Sequence, residues 1–276
     1  MPRLPAITLW LDRRAAAGGR CSATVPGSAR RQFGRTSADY ATSMVHATGM
    51  DLRLLTDAAA PTPGATALDV GTGAGHTALA LAPHVRLVLA LDITPEMLAE
   101  ARRLGAASGV ANLRLVEGTV EALPVLPRSC DIVTCRVAAH HFRAADQAIT
   151  EMARVLRPGG RLVLVDNYAP DRPELDEFIN RLEVRRDPSH VREHTLAQWQ
   201  GFMAAAGLRV EIRALDCIRL DFADWVRRSQ TPPDAVQRLR EMLLSASPEA
   251  VRTFGITVEP QLAFSLLRFI AVGYAA

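Results

Sequence analysis

Two groups of histidines and one glycine-rich loop are the parts of this sequence best suited to chemistry. His140 and His141 stand side by side after an apolar run, and His190 and His194 enclose the pattern H-x-x-E-H. Histidine changes its charge near neutral pH, so it can take up or release a proton during a reaction. The loop from Gly71 to Gly75 has glycine at three of its five positions, which lets a ligand approach the backbone without meeting a Cβ atom.

The H-x-x-E-H pattern at residues 190–194 matches the inverted zinc-protease signature. Pro188, just before it, does not favour a long helix that would hold both histidines, and no motif for a third ligand follows. We therefore predict no metal site. Instead, we expect this segment to close over a substrate site, with His190 and Arg192 as candidate substrate contacts. A solvent-exposed helix end is the structural alternative.

The sequence on either side of the glycine loop indicates which class of ligand the loop could bind. The loop follows a predicted strand over residues 65–70 and opens a predicted helix over 75–82, an arrangement that suits an adenosyl ligand. The dinucleotide fingerprint G-x-G-x-x-G would need glycine at position 76, where His76 stands, and the G-K-[ST] ending of a P-loop is absent from the sequence. Asp92, at the end of the next predicted strand, can accept hydrogen bonds from both ribose hydroxyls. An N-cap for the helix near Pro95 is the structural alternative for Asp92.

Apolar strands alternate with helices from residue 65 onward. The predicted strands cover residues 65–70, 86–91, 112–117, 130–135, 161–166, 208–215 and 264–272. Helices between the first five strands favour parallel pairing with right-handed crossovers and with both faces of the sheet covered. The sequence therefore predicts an open, doubly wound α/β sheet that binds its ligand beyond the carboxyl ends of the strands.

Four stretches of the chain together resemble the class I S-adenosylmethionine-dependent methyltransferases. More narrowly, they resemble the small-molecule branch that includes ubiquinone/menaquinone-biosynthesis C-methyltransferases. The stretches are residues 68–75, 91–98, 117–124 and 155–162. The resemblance implies a mostly parallel, seven-stranded Rossmann-like methyltransferase fold with a helical cap. It also implies transfer of a methyl group from S-adenosylmethionine to carbon or oxygen of a small-molecule acceptor, such as a quinone or a natural product, with S-adenosylhomocysteine as the product.

The resemblance also implies which residues contact the cofactor. By position they are Asp69, Gly71, Thr72, Gly73, Gly75, Asp92, Ile93, Met97, Thr119, Val120 and Arg136. Thr119 and Val120 replace the Asp-Ala pair that family members often have, so the threonine hydroxyl and the valine N–H would contact the adenine here. Arg136, just past the fourth predicted strand, would lie near the sulfonium.

A methyl acceptor with an O–H or C–H group gains from a positioned base as well as from alignment. His140 and His141 follow the fourth predicted strand at the ligand-facing edge of the sheet. We predict that one of them, or His190, deprotonates or orients the acceptor. Contact with the cofactor, or a cap for the helix near Ala144, is the alternative. The acceptor pocket is expected to be apolar, with these histidines and Tyr168 as its few polar groups.

Charge and cysteine content narrow the class of protein further. The chain has 276 residues and a formal net charge of +3. Residues 1–36 contain seven arginines and a single acid, Asp12, so the rest of the chain is mildly acidic. This argues against a nucleic-acid partner. Four scattered cysteines argue against a disulfide framework, and the apolar runs are too short to cross a bilayer. We therefore expect a reduced, cytoplasmic protein without a membrane span.

The domain organisation and two alternative functions complete the prediction. Residues 1–28 lack apolar periodicity and are expected to be a dispensable tail, while residues 29–276 form one domain. Segments 30–57 and 170–200 should cover the carboxyl ends of the strands, and further helices occupy 221–257. Cofactor-assisted cyclisation or elimination on the same fold, and a non-catalytic adenosyl-ligand binder, remain open. The sequence does not fix the acceptor or the oligomeric state.

Overall fold

A computed structural model describes residues 29–34 and 49–276 of the chain. Its strands are β1 (Thr66–Val70), β2 (Leu87–Asp92), β3 (Leu113–Glu117), β4 (Cys130–Arg136), β5 (Leu156–Asn167), β6 (Leu208–Asp221) and β7 (Ala263–Ala275). These strands form one sheet in the order β3-β2-β1-β4-β5-β7-β6. The first five strands pair in parallel, and β7 runs antiparallel between β5 and β6. The predicted doubly wound, mostly parallel sheet of seven strands is confirmed.

Nine α-helices within residues 49–276 surround the sheet. They are α1 (Met50–Ala59), α2 (His76–Leu81), α3 (Pro95–Ala107), α4 (Ala145–Val155), α5 (Pro173–Arg186), α6 (Leu196–Ala205), α7 (Phe222–Arg228), α8 (Pro233–Leu244) and α9 (Pro248–Thr253). Residues 29–34 are also helical. Proline opens α3, α5, α8 and α9, a position where its missing N–H costs no helical hydrogen bond. A capping box of Thr195 and Gln198 opens α6.

Helices cover both faces of the sheet, as strands that are apolar on both sides require. On one face, Ile149 and Met152 of α4 and Trp199 of α6 are fully buried against the strands. On the other face, Leu55 of α1 and Leu81 of α2 are buried in the same way. The two apolar layers fix the strands in position, so the loops at their carboxyl ends have a rigid support.

A second apolar cluster lies beyond the carboxyl end of β5. There β6 and β7 continue together as a two-stranded extension of the sheet. Both strands are longer than the predicted ranges 208–215 and 264–272. Helices α7, α8 and α9, which connect these two strands, pack with α5 against the extension around Trp225, Phe254 and Phe264. The helices at 221–257 therefore belong to a layer above the ligand-facing edge of the sheet.

Other element boundaries also differ from those predicted. β5 begins at Leu156 instead of residue 161, since Leu156 pairs with Cys130 before the register shifts. The α-helix after the glycine loop ends at Leu81 and continues as a 3-10 turn over Ala82–His84. None of the helices in the described ranges is long and apolar enough to cross a bilayer.

Part of the predicted organisation lies outside the described residues. The expectation for residues 1–28 belongs there, and so do residues 35–48 of the predicted cover segment.

Candidate functional site

The glycine loop joins β1 to α2 through three left-handed glycines, with φ at +65° for Gly71, +54° for Gly73 and +89° for Gly75. This region of φ favours glycine. The N–H of Thr72 donates to the carbonyl of Leu91 at 2.9 Å, which ties the loop to the end of β2. A Cβ atom on Gly71 would lie 2.7 Å from the Cβ of Ala138, whereas one on Gly73 would meet no atom within 4 Å. Gly71 is therefore required for packing, and Gly73 faces open space that a ligand could fill.

Asp92, at the end of β2, holds this loop from the other side. Its Oδ2 accepts a hydrogen bond from the N–H of Gly73 at 2.8 Å, and its Oδ1 accepts one from the N–H of Thr94 at 2.8 Å. Burial raises the pKa of Asp92, although these hydrogen bonds oppose the shift. A carboxylate has about four sites for donors, so Asp92 retains the capacity to accept from two ribose hydroxyls.

Asp69 is a fully buried acid one strand away. Its carboxylate accepts hydrogen bonds from the hydroxyls of Thr72 at 2.6 Å and Thr134 at 2.7 Å. Burial raises its pKa to about 6. These hydrogen bonds join the glycine loop to β4, so Asp69 stabilises the conformation of the loop.

The remaining predicted cofactor residues lie at the ends of β2, β3 and β4. Met97 and Val120 are buried, and Ile93 is half-buried. Thr119 immediately precedes the 3-10 helix Val120–Ala122, and the N–H of Gly118 donates to the carbonyl of Asp92 at 3.1 Å. The structure thus brings these residues to the edge of the sheet that carries the glycine loop.

Arg136, the other predicted cofactor contact, takes part in a buried charge cluster. Its Nε donates to Oδ2 of Asp51 at 3.1 Å, and Nη1 of Arg268 donates to the same oxygen at 3.0 Å. Arg268 also donates from Nε and Nη2 to Oδ1 of Asn167. This cluster joins α1 to the ends of β4, β5 and β7.

His140 forms a close, buried pair with Asp166 at this edge. Its Nδ1 lies 2.6 Å from Oδ1 of Asp166, and its backbone N–H donates to Oδ2 of Asp166 at 3.0 Å. Burial opposes the charge on the ring, but the Asp166 carboxylate outweighs it and raises the pKa of His140. The pKa of Asp166 is lowered: burial would raise it, and the attraction to His140 prevails.

His141 and His190 gather around His140. The ring centroid of His140 is 4.2 Å from that of His141 and 5.4 Å from that of His190. Nδ1 of His141 lies 3.0 Å from the carbonyl oxygen of Ser189. Burial and then the nearby His140 lower the pKa of His141 to about 4, and burial lowers the pKa of His190 as well. His140 is therefore the one of these three rings whose basicity the surroundings increase.

The segment between α5 and α6 lies directly on the turn that carries these histidines. The N–H groups of Val191 and Arg192 donate to the carbonyl of His140 at 2.9 and 3.1 Å. Among the described residues before α1, Phe33 packs edge-on against His141 with ring centroids 4.9 Å apart. Parts of both predicted cover segments therefore contact the candidate catalytic turn.

The two histidines of the H-x-x-E-H pattern face different neighbours. His190 faces His140, whereas the ring of His194 lies 5.1 Å from the rings of both Trp199 and Phe202. Within residues 29–34 and 49–276, no group of three acidic, histidine or cysteine side chains could hold a metal ion. The two histidines point to different neighbours because the segment that carries them is not a helix.

The comparisons with known proteins agree with this geometry. Residues 68–164 match the family model described as a methyltransferase domain. The chain is also 42% identical over 226 residues to YcgJ of Bacillus subtilis (strain 168), named an uncharacterized methyltransferase, in a match that covers 82% of this chain and 89% of that protein. This chain belongs to the methyltransferase family. A crystal structure of YcgJ matches 81% of this methyltransferase, and 97% of its own chain, with a TM-score of 0.79 at 41% identity.

A shorter part of this methyltransferase is similar to a relative named for demethylmenaquinone. This chain is 42% identical over 106 residues to the demethylmenaquinone methyltransferase of Deinococcus radiodurans. The match covers 37% of this chain and 43% of that protein. The family membership confirms the prediction of a class I S-adenosylmethionine-dependent methyltransferase.

Several charged residues of the site were not predicted from the sequence of this methyltransferase. Asp166, Glu183 and Glu193 are buried near His140, and Arg268 is buried near Asp166 and Glu193. The expectation of an apolar pocket with few polar groups is therefore incomplete. A signal existed for Asp166, since it ends the strand next to the one before His140, and parallel neighbours place their carboxyl ends together.

Proposed function

We propose that this methyltransferase moves a methyl group from S-adenosylmethionine to a hydroxyl oxygen or an acidic carbon of a small molecule, with His140 as the base that removes the acceptor's proton. The observation that carries this proposal is the buried contact of 2.6 Å between Nδ1 of His140 and Oδ1 of Asp166. It lies at the carboxyl ends of β4 and β5, the edge at which sheets of this kind bind ligands.

The residues at this edge fit the methyl donor. The open space above Gly73 would let the backbone of the loop approach the ligand, and Asp92 has unused acceptor capacity for a ribose. Ile93, Met97, Thr119 and Val120 would follow along the adenine. When bound, S-adenosylmethionine supplies an electrophilic methyl group on its sulfonium. The protein's own contribution is to align the acceptor with that group and to exclude water.

Asp166 determines which nitrogen of His140 can act as the base. An ionised carboxylate only accepts hydrogen bonds, so Nδ1 carries the proton and Nε2 of the neutral ring keeps its lone pair. Asp166 also raises the pKa of His140, which makes Nε2 more basic than an isolated imidazole. His141 and His190, whose pKa values are lowered, are poorer bases and would line the site instead.

The contacts of His140 with the segment between α5 and α6 support a covering role for that segment. Two backbone N–H groups of the segment bind the His140 carbonyl, so its closed position and the position of the base depend on each other. We infer that residues 170–200, with the described part of 30–57, keep water from the reacting groups.

The comparisons support a small molecule as the acceptor, without favouring a particular compound. The relative from Deinococcus radiodurans is named for demethylmenaquinone, but the match spans only 37% of this chain. It therefore supports the type of reaction, and we leave the quinone itself as one candidate among phenols, hydroxyquinones and polyols.

The test uses an acceptor found by screening those three classes for formation of S-adenosylhomocysteine. His140→Ala should lower turnover about 10²–10⁴-fold, the usual contribution of general-base catalysis, while the affinity for S-adenosylmethionine stays near that of the wild type. His141→Ala is the matched control, because it removes the neighbouring ring. Equal loss in the two variants, or full activity in His140→Ala, would refute the assignment of the base.

A further inference from the structure

Two buried carboxyl groups next to the histidines have oxygen atoms without a hydrogen-bond donor among the described residues. Glu193 is 1% exposed, and neither of its carboxylate oxygens has a hydrogen bond of normal geometry. Glu183 of α5 is 3% exposed; its Oε2 accepts from Nη1 of Arg186 at 2.9 Å, but its Oε1 has no donor. Within residues 29–34 and 49–276, three buried acceptor atoms therefore have no hydrogen-bond donor, whereas buried polar atoms of folded proteins are nearly always hydrogen-bonded.

The backbone of Glu193 is held firmly, although its side chain is not. The N–H of Glu193 donates to Oδ1 of Asn180 at 2.8 Å, and Nδ2 of Asn180 donates to the carbonyl of Glu193 at 3.2 Å. Two residues earlier, Val191 binds the carbonyl of His140. The position of Glu193 is thus fixed relative to the candidate base, and its carboxyl group is directed into the buried region.

The surroundings of Glu193 make the ionised form of its carboxyl group energetically unfavourable. Burial and then the nearby Glu183 raise the pKa of Glu193 to about 8. The charge of His140 and the amide of Asn167 oppose this shift, but neither supplies a hydrogen bond of normal geometry. A buried acceptor without a donor costs free energy that an apolar or amide side chain would avoid. Groups of this kind concentrate at functional sites.

The chemistry of the missing partner follows from the atoms that lack one. A protonated Glu193 has one O–H donor but still has acceptor lone pairs, and Oε1 of Glu183 lacks a donor among the described residues. A partner that donates hydrogen bonds therefore satisfies more of these oxygens than one that only accepts them. A metal ion is not supported, because the described residues contain no group of three side chains that could hold one. An anionic acceptor would be repelled by the Glu183 carboxylate, and an apolar one would leave the oxygens unsatisfied.

We propose that Glu193 and Glu183 form a subsite that receives a hydrogen-bond-donating group, a hydroxyl or an ammonium, of the methyl acceptor. The inference rests on the proposed function, since it places the acceptor beside His140. In this arrangement the donor group is bound by the carboxyl groups on the side of α5, and the atom to be methylated faces Nε2 of His140. The subsite would therefore select acceptors with a second polar group besides the one that reacts.

The experiment uses small probes on the full chain with S-adenosylhomocysteine bound. Crystals of the wild type and of Glu193→Gln are soaked with methylammonium, with glycerol, or with tetramethylammonium, and the same three compounds are added at constant ionic strength in thermal unfolding. Methylammonium has a charge and donors, glycerol has donors without charge, and tetramethylammonium has a charge without donors. The first two arms thus separate an ammonium from a hydroxyl ligand, and the third is the control for charge.

We expect methylammonium or glycerol within hydrogen-bond distance of Glu193 or Glu183, and a rise in Tm for the wild type that Glu193→Gln loses. The glutamine amide would supply the missing donor itself, so this variant should still fold. Two results would overturn the proposal. One is equal binding of tetramethylammonium. The other is a map without either donor probe, in which the three oxygens lie within hydrogen-bond distance of Asn167, of each other or of an ordered water. S-adenosylhomocysteine in the same map reports on the cofactor site separately, so failure of the proposed function is distinguishable from failure of the subsite.

Discussion

Asp166 binds His140 twice, through Nδ1 at 2.6 Å and through the backbone N–H at 3.0 Å. The two residues are 26 positions apart in sequence, but β4 and β5 are parallel neighbours, with Arg136 paired to Val165. The turn after β4 therefore passes over the end of β5, where Asp166 is fully buried. One carboxylate fixes both the backbone of the turn and the orientation of the ring.

The pH dependence of turnover should report this pair. His140 acts as a base only when it is neutral, so kcat/KM should fall as the pH drops through its pKa, which Asp166 holds above the ordinary 6.5. In Asp166→Asn the carboxylate is gone while burial still lowers the pKa. The acidic limb of the profile should therefore move to lower pH, and the plateau should fall about 10²-fold or more.

Profiles of kcat/KM between about pH 5 and pH 9 would check this shift. Asp216→Asn, an exposed acid on β6, is the control and should leave the limb in place. A limb that stays at the same pH in Asp166→Asn would show that His140 is not the titrating base.

The sequence was sufficient for the parts of the site that depend on local order. The glycine loop follows β1, Asp92 ends β2 and His140 lies in the turn after β4, so the strand pattern alone places them at one edge of the sheet. The same pattern places the predicted residues Asp69 and Thr72, which belong to β1 and to the loop.

The contacts that the sequence could not predict join distant segments. Arg268 and Asp51 are 217 residues apart, and they meet because β7 inserts antiparallel beside β5 and places Arg268 opposite Asn167. No periodicity in the sequence fixes that register. The unpartnered state of Glu193 is also a property of packing, since an acid in a polar segment normally faces water.

Alanine variants of two glycines with positive φ separate an effect on cofactor affinity from an effect of backbone strain on stability. Gly73→Ala should weaken binding of S-adenosylmethionine at least about tenfold, because its Cβ would occupy the open space above the loop. Its effect on stability should be small, about 1–2 kcal/mol for a left-handed alanine. Calorimetric titration and urea unfolding measure the two quantities.

Gly109→Ala is the matched control for this variant. Gly109 also has a positive φ, +67°, and its Cβ would meet no atom within 4 Å, but it lies after α3, away from the loop. It should lose similar stability and keep its affinity for the cofactor. Equal losses of affinity in the two variants would remove Gly73 from the cofactor site.

Asp92→Asn tests the ribose contact. The amide removes the charge that a ribose hydroxyl would bind, and each charge-assisted hydrogen bond contributes about 1.5–3 kcal/mol, so affinity for S-adenosylmethionine should fall about 10–100-fold. Asp131→Asn is the control at the opposite end of the strands, where Asp131 accepts from the N–H of Thr66 and from Arg157. Unchanged affinity in Asp92→Asn would exclude this contact.

Asp51→Asn should destabilise the fold without touching the loop. Arg136 and Arg268 both donate to Oδ2 of Asp51, and removing the charge leaves two buried guanidinium groups with reduced compensation, a loss of about 3–5 kcal/mol. Urea unfolding would show it, with the exposed Asp57→Asn of the same helix as the control. The double variant Asp51→Asn/Arg268→Met should recover part of the loss if the two residues are coupled.

Glu193→Gln should make the protein more stable, and by an amount that grows with pH. The pKa of Glu193 is raised to about 8 from its ordinary value of 4.5. The folded state therefore binds this proton more tightly than the unfolded state, and its stability decreases as the pH rises from about 4.5 through 8. Glutamine has no such proton. The difference in free energy of unfolding between variant and wild type should be small near pH 4 and reach a few kcal/mol near pH 9.

Urea unfolding at intervals across this range gives the difference directly, since groups that titrate equally in both proteins cancel. Glu177→Gln, an exposed acid on the same helix as Glu183, should show no trend with pH and serves as the control. A constant difference between Glu193→Gln and the wild type would mean that the Glu193 carboxyl titrates normally in the folded protein, as it would if water reached it. A rising difference would show that the fold keeps a costly carboxyl group beside His140, which is the condition for its use in binding a donor.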